Sequence, residues 1–177
     1  MMRWVALLPL AVLGLLAALF AGYGLRHDPK VMPAALVGKP LPDLVLPPLS
    51  GGAPERVRAK LSGPTFVNVF ASWCVPCAVE APALAAMKDQ GARIVGVAYK
   101  DEPAASNAFL RRYGDPFATV LVDRDGRAGI ELGVSGVPET FLVGADGVIL
   151  AKHSGPLLPA DAEALLEKAQ HPRARPG

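Results

Sequence analysis

Only two cysteines and three histidines occur among the 177 residues. So few thiols exclude a scaffold stapled by several disulfides, and the three histidines, His27, His153 and His171, lie far from the cysteine pair and lack the paired spacing of a zinc site. Charged residues make up 19% of the chain, below the roughly 25% of an average soluble domain. No long basic run is present, and 18 Lys plus Arg against 16 Asp plus Glu leave a net charge of only +2, so electrostatic nucleic-acid binding has no support. No internal repeat is visible. With 51% hydrophobic residues, disorder of the whole chain is excluded.

What the chain does have begins at its N-terminus. Trp4 to Leu25 contains 22 residues without a charge, and as a helix it would reach roughly 33 Å, enough for a hydrocarbon core of about 30 Å. A cleaved signal peptide competes with this reading, since Met1 to Arg3 resembles a short basic n-region. The run is long for the apolar part of a signal, however, and Ala17 to Gly24 offers no clean small-x-small cleavage pattern. The expectation is therefore a transmembrane anchor over residues 1–25. A linker follows over 26–37, then one α/β domain over 38–170 and a disordered tail over 171–177. Arg3 before the run and Arg26 and Lys30 after it do not fix its orientation. Residues 31–170 carry 13 Lys plus Arg and 15 Asp plus Glu, so the domain itself is mildly acidic.

Asp28 to Gly51 holds six prolines and reads as extended chain leading into a short edge strand around Asp43 to Leu46. Thr65 to Ala71 is a short apolar run rich in β-branched and aromatic residues, as expected of a strand buried on both faces. Helical spacing takes over from Val75 to about Lys88, with Ala81, Leu84 and Met87 on one side. Arg93 to Tyr99 is a second buried strand, and strand, helix and strand together make a right-handed βαβ unit. A helix over Pro103 to Tyr113 follows, with Asp101 placed to cap it and Gly114 to stop it. Ala118 to Val122 is the next strand, and Arg127 to Leu132 a short helix. Glu139 to Val143 and Val148 to Ala151 flank the turn Ala145-Asp146-Gly147 as a hairpin, and a last amphipathic helix runs from Pro159 to Ala169. The class is α/β, with a mixed central sheet covered on both faces.

The chemistry concentrates at the join of the first buried strand and its helix, in Trp73-Cys74-Val75-Pro76-Cys77. A C-x-x-C spacing beside a βαβ pattern is a specific redox signal. At a helix N-terminus, unpaired N–H groups and the positive end of the dipole stabilise a thiolate, which makes Cys74 the candidate nucleophile. Cys77, one turn into the helix, is expected to be more buried and able to attack a mixed disulfide. Pro76 suits the first turn, where its missing N–H costs nothing. A zinc half-site fails on ligand count, and a purely structural disulfide closing so short a loop would contribute only about 2 kcal/mol.

Glu80 lies three positions after Cys77, next to the inward face of the helix. If desolvated, its pKa rises and it can exchange protons with the thiols; the bland alternative is an exposed residue complementing the helix dipole. Gly136-Val137-Pro138 stands just before a strand, where a proline marks a strand start or a tight turn.

Taken together, Trp73 to Cys77, the helix proline Pro82 and Gly136 to Pro138 resemble the thioredoxin fold. Val67 to Cys74, Gly96 to Asp101 and Gly136 to Leu142 narrow the resemblance to the membrane-anchored thiol:disulfide interchange proteins of cytochrome c maturation, the CcmG/DsbE family. It covers roughly Gly38 to Ala169. The resemblance implies an attacking thiol at Cys74, a resolving thiol at Cys77, a redox disulfide between them and an acidic residue tuning them at Glu80. It further implies that Trp73, Pro76, Val137, a cis-proline at Pro138 and Glu139 shape the site. Asn68, where cytosolic thioredoxins carry a buried Asp, and Pro82 lie near it. Ala98 departs from the polar residue expected before Tyr99.

For function, the resemblance implies a thiol:disulfide oxidoreductase on the periplasmic side of the bacterial inner membrane. It would reduce the haem-binding cysteines of apocytochrome c, directly or through a maturation partner, and be reduced by a membrane electron carrier of the DsbD or CcdA type. No cofactor, metal or nucleic acid is implied. Other readings are a general periplasmic or copper-site maturation reductase of the same fold, an oxidase, and a non-catalytic thioredoxin-like docking module.

Overall fold

The computed structural model describes residues 8–24 and 36–171. The chain divides into two units, residues 1–33 and 34–177. In the first, the helix α1 spans Leu8–Gly24, 17 residues without a charged side chain. The remainder of the expected anchor lies outside the described residues. Among the described residues, no helix is long and apolar enough to cross a membrane. Of the expected linker only Leu36 and Val37 are described, and of the expected tail only His171.

The second unit is built on a five-stranded sheet, β3 (Thr65–Phe70), β4 (Arg93–Tyr99), β5 (Thr119–Asp123), β6 (Glu139–Val143) and β7 (Ile149–Ser154), in the order β5-β4-β3-β6-β7. The helices between and after these strands are α2 (Val75–Asp89), α3 (Pro103–Tyr113), α4 (Arg127–Glu131) and α5 (Pro159–Gln170). β3 runs parallel to β4 and β4 to β5, whereas β6 is antiparallel to β3 and β7 to β6. The sheet is therefore mixed, as read from the hairpin signal. Because the chain steps twice in one direction across parallel strands, two right-handed crossovers place α2 and α3 on the same face.

Alternation along the strands sorts the core. Phe66 and Phe70 of β3 and Ile94 of β4 face α2, α3 and α5, where they meet Leu84, Met87, Phe109, Leu110 and Leu165. Val67, Val69, Val95 and Val97 point the other way, toward α4 and the proline-rich entry segment, and pack with Leu41, Leu44, Val57 and Leu132. Phe70 stacks on Phe117 at 5.0 Å between ring centroids and tilts against Phe109 at 5.8 Å, each pair worth about 0.5–1.5 kcal/mol beyond its buried area. Gly96 permits this cluster: a Cβ there would lie 3.0 Å from the Phe117 ring.

Two expectations need correction. The strand expected around Asp43 to Leu46 is the two-residue β1 (Val45–Leu46), and it pairs with β2 (Glu55–Arg56) in a small separate sheet rather than edging the main one. A short 3-10 helix, Val57–Lys60, follows and buries Val57. Asp101 is not the residue at the N-cap of α3; Glu102 is, and it makes no side-chain cap. The carboxylate of Asp101 instead turns back toward the strand-to-helix join of β3 and α2, as described next.

Candidate active site

The β3 chain leaves the sheet at Ala71, and the N–H of Cys74 turns back onto the Ala71 carbonyl at 3.2 Å. Cys74 keeps an extended backbone (φ −91°, ψ 107°) and is the N-cap of α2, with Pro76 inside the first turn. Its sulfur accepts the N–H of Cys77 at 3.2 Å, occupying one of the unpaired donors of the helix start. Cys74 and Cys77 form a disulfide, with Cα atoms 5.3 Å apart. Once the bond is reduced, the same N–H and the helix dipole face the Cys74 sulfur and favour its thiolate.

The loop before β6 closes over this sulfur. The Val137–Pro138 peptide is cis, and the Val137 carbonyl oxygen lies 3.4 Å from Cys74 Sγ. Two motifs separated by about sixty positions in the chain thus meet at one atom. Both cysteines are largely buried, but the rim of apolar side chains is open: Trp73 is 58%, Val75 76% and Val79 58% exposed. Trp73 is held from below, its Nε1 donating to the Lys100 carbonyl at 3.3 Å. Lys100 itself sits at φ +47°, an uncommon conformation for a side chain other than glycine.

Beneath the disulfide, Glu80 is fully buried, which removes the exposed-helix reading of this residue. Its Oε1 accepts from Asn68 Nδ2 at 2.9 Å and its Oε2 from the Leu157 N–H at 3.0 Å. Burial outweighs both bonds and pushes the carboxyl up from 4.5 to about 7. A group titrating there can give or take a proton at neutral pH. Asn68 spends its second N–H on Thr140 Oγ1 at 3.0 Å, and its own Oδ1 is buried without a partner. Asn68, Cys77 and Glu80 also line a small cavity of about 10 Å³, at the lower limit for one water molecule.

The structure thus brings together Asn68, Trp73, Cys74, Pro76, Cys77, Glu80, Val137 and Pro138. Pro82 lies further along α2, inside the helix, where it cannot donate to the turn before it. Glu139 is adjacent in sequence but not in facing. Thr140 points to Asn68, so by strand alternation the Glu139 carboxylate lies on the opposite face of the sheet.

Sequence reasoning missed the support that Asp101 gives. Its Oδ2 accepts from the Ser72 N–H at 2.7 Å and from Ser106 Oγ at 2.8 Å, and its Oδ1 accepts from Ser72 Oγ at 2.7 Å and the Glu102 N–H at 3.0 Å. One carboxylate therefore ties the residue before Trp73 to the first turn of α3. An Asp two residues before a helix proline signals a cap, and nothing local signals the reach back to Ser72.

Comparison with known proteins accords with this geometry. Residues 36–166 match the Redoxin family. A thiol:disulfide interchange protein DsbE of Pseudomonas fluorescens biotype C is 39% identical, over 96% of this chain and 99% of its own length. The thiol:disulfide interchange protein HelX of Rhodobacter capsulatus is 42% identical, over 84% of this chain and 88% of its own. Among solved structures, one assigned to DsbE of Chlorobium tepidum superposes with a TM-score of 0.65 at 30% identity, covering 76% of this chain and 94% of that one. A secreted Mycobacterium tuberculosis disulfide oxidoreductase homologous to Escherichia coli DsbE gives 0.61 at 25% identity, covering 72% and 95%. The fold is thioredoxin-like.

Proposed function

The chain belongs to the DsbE (CcmG) family of thiol:disulfide interchange proteins and is a thiol:disulfide oxidoreductase, and on that footing we propose that it works as a reductant in cytochrome c maturation. Its substrate in this reading is the C-x-x-C-H cysteine pair of apocytochrome c, reached directly or through a maturation partner. The observation that carries the proposal is the placement of Cys74: its sulfur stands at a helix N-terminus, 3.2 Å from the Cys77 N–H, beneath an open apolar rim.

The chemistry needs only the chain's own groups. The Cys74 thiolate attacks one sulfur of the substrate disulfide, forming a mixed disulfide and releasing the other substrate sulfur as a thiolate. The Cys77 thiol loses its proton, with Glu80 as the nearby acceptor, and attacks Cys74 Sγ. That step frees the second substrate thiol and leaves the Cys74–Cys77 disulfide. Two electrons have passed to the substrate; of its two departing thiolates one takes the Cys77 proton back by way of Glu80 and the other takes a proton from water, and a membrane electron donor of the DsbD or CcdA type restores the dithiol. The uncharged run from Trp4 to Leu25 supports a single N-terminal anchor. In this reading the anchor sits in the bacterial inner membrane and the redox domain on its periplasmic side, as the family resemblance implies.

The test uses the full-length Cys77→Ser variant, which can attack but cannot resolve. Incubated with an oxidised apocytochrome c, it is expected to accumulate a covalent complex through Cys74 that dithiothreitol releases. No complex would count against the reductase, and equal trapping of unrelated oxidised proteins would favour the general reductase over the maturation role.

A further inference from the structure

Lys152 is a polar residue on β7 that the exchange chemistry does not use, yet its side chain is only 11% exposed. In the register of the hairpin, Lys152 stands opposite Phe141 and Ser154 opposite Glu139, so all four share one face of the sheet. Glu139, itself 1% exposed, brings its carboxylate into this group. Oε1 accepts from Ser135 Oγ at 2.6 Å, the Ser135 N–H at 3.3 Å and Ser154 Oγ at 3.1 Å. Oε2 is ion-paired with Lys152 Nζ at 2.8 Å but accepts no well-directed hydrogen bond; the ammonium donates to the Gly133 carbonyl at 2.9 Å and sits 5.4 Å from the centre of the Phe141 ring.

The ammonium therefore joins the start of the loop between α4 and β6, at Gly133, to the residue just past its end, at Glu139. Between these points lies Val137, whose carbonyl meets Cys74 Sγ at 3.4 Å. We propose that Lys152 is a positioning residue of the exchange site: paired with buried Glu139, it latches the Gly133–Pro138 loop over Cys74 and so governs the docking of polypeptide disulfides. Without the ammonium, the Glu139 carboxylate is a buried charge with no counter-ion, and the Gly133 carbonyl loses its donor. The loop is then free to shift while Cys74, Cys77 and Glu80, held by β3 and α2, stay in place. This role rests on the reading of the protein as a polypeptide-disulfide reductase.

The experiment compares full-length wild type, Lys152→Met, Lys152→Arg and the double variant Glu139→Gln/Lys152→Met. Each is reduced and then assayed with two substrates, a short peptide with an intramolecular C-x-x-C disulfide and bis(2-hydroxyethyl) disulfide. For Lys152→Met the ratio of peptide to small-disulfide kcat/KM is expected to fall about tenfold, chiefly through KM, and Lys152→Arg to recover most of it. Amide exchange at Ser135 and Val137 is expected to accelerate in Lys152→Met and to slow again in Lys152→Arg. An unchanged ratio in folded Lys152→Met, or no recovery in folded Lys152→Arg, overturns the proposal. Should Lys152→Met fail to fold, the double variant, which leaves no buried unpaired charge, decides: the same fall supports the latch and a wild-type ratio overturns it. Should wild type itself not react with the peptide, the reductase reading fails separately, and the positioning role fails with it, whatever the amide exchange shows.

Discussion

The Asn68 amide donates to Glu80 Oε1 at 2.9 Å and holds a fully buried carboxyl in the wall of the cavity that Cys77 also lines. The bond favours the charged form of Glu80, whereas burial favours the neutral form, and burial prevails. A carboxyl that ionises near neutrality next to a thiol pair is the feature of this site that most invites titration.

The first consequence is for stability. Glu80 has a folded-state pKa of about 7 against 4.5 unfolded, so between those values the folded chain binds more protons than the unfolded one. Stability associated with the neutral carboxyl is then fully present below about pH 4.5 and is lost as pH rises through about 7. Glu80→Gln cannot ionise and should lack this loss. Denaturant unfolding of the oxidised proteins at pH 5 and pH 8 is expected to shift in favour of the variant by about 3 kcal/mol across that interval, as an upper figure. Parallel pH dependences would show that folding does not raise the Glu80 pKa.

The second concerns the thiols. A negative charge at Glu80 opposes ionisation of neighbouring cysteines, so Glu80→Gln should lower the apparent thiol pKa values. The rate of iodoacetamide alkylation of the reduced protein, followed from pH 4 to pH 10, is expected to show its midpoints moved down. An unmoved profile would leave Glu80 no part in tuning the pair.

Asp101 is expected to matter for the active-site loop out of proportion to its distance in sequence. Four donors converge on its carboxylate, and Asp101→Asn turns one acceptor into a donor facing them. A loss of about 2–4 kcal/mol in unfolding free energy is expected, with altered Trp73 fluorescence in the native state because Ser72 precedes that residue. A variant within about 0.5 kcal/mol of wild type, the range of ordinary surface changes, would contradict it.

Much of this was legible in the sequence. The bounds of α2, β4, α3 and β6 follow from short apolar runs and helical spacing, and the C-x-x-C pair at the strand-to-helix join declares its chemistry. The helical period put Glu80 beside the inward face, but its burial depends on Leu157, whose N–H arrives from the loop before α5, 77 positions away. Contacts of that kind leave no local pattern. The same holds for Asp101 reaching back to Ser72. Lys152 lies just past the strand expected over Val148 to Ala151, and only the fold shows that the strand continues through it and that its face there is covered. The pairing of β1 with β2 was hidden for a different reason: two strands of two residues each carry no periodicity to read.

The central claim, that this dithiol donates electrons, is tested most directly by the equilibrium reduction potential of the Cys74–Cys77 pair, followed by Trp73 fluorescence in defined thiol buffers. A reductant is expected to lie well below the roughly −120 mV of a strong oxidant, toward the roughly −270 mV of thioredoxin. A value near −120 mV would make the protein an oxidant of its substrates, and a disulfide reducible only on unfolding would contradict the exchange chemistry altogether.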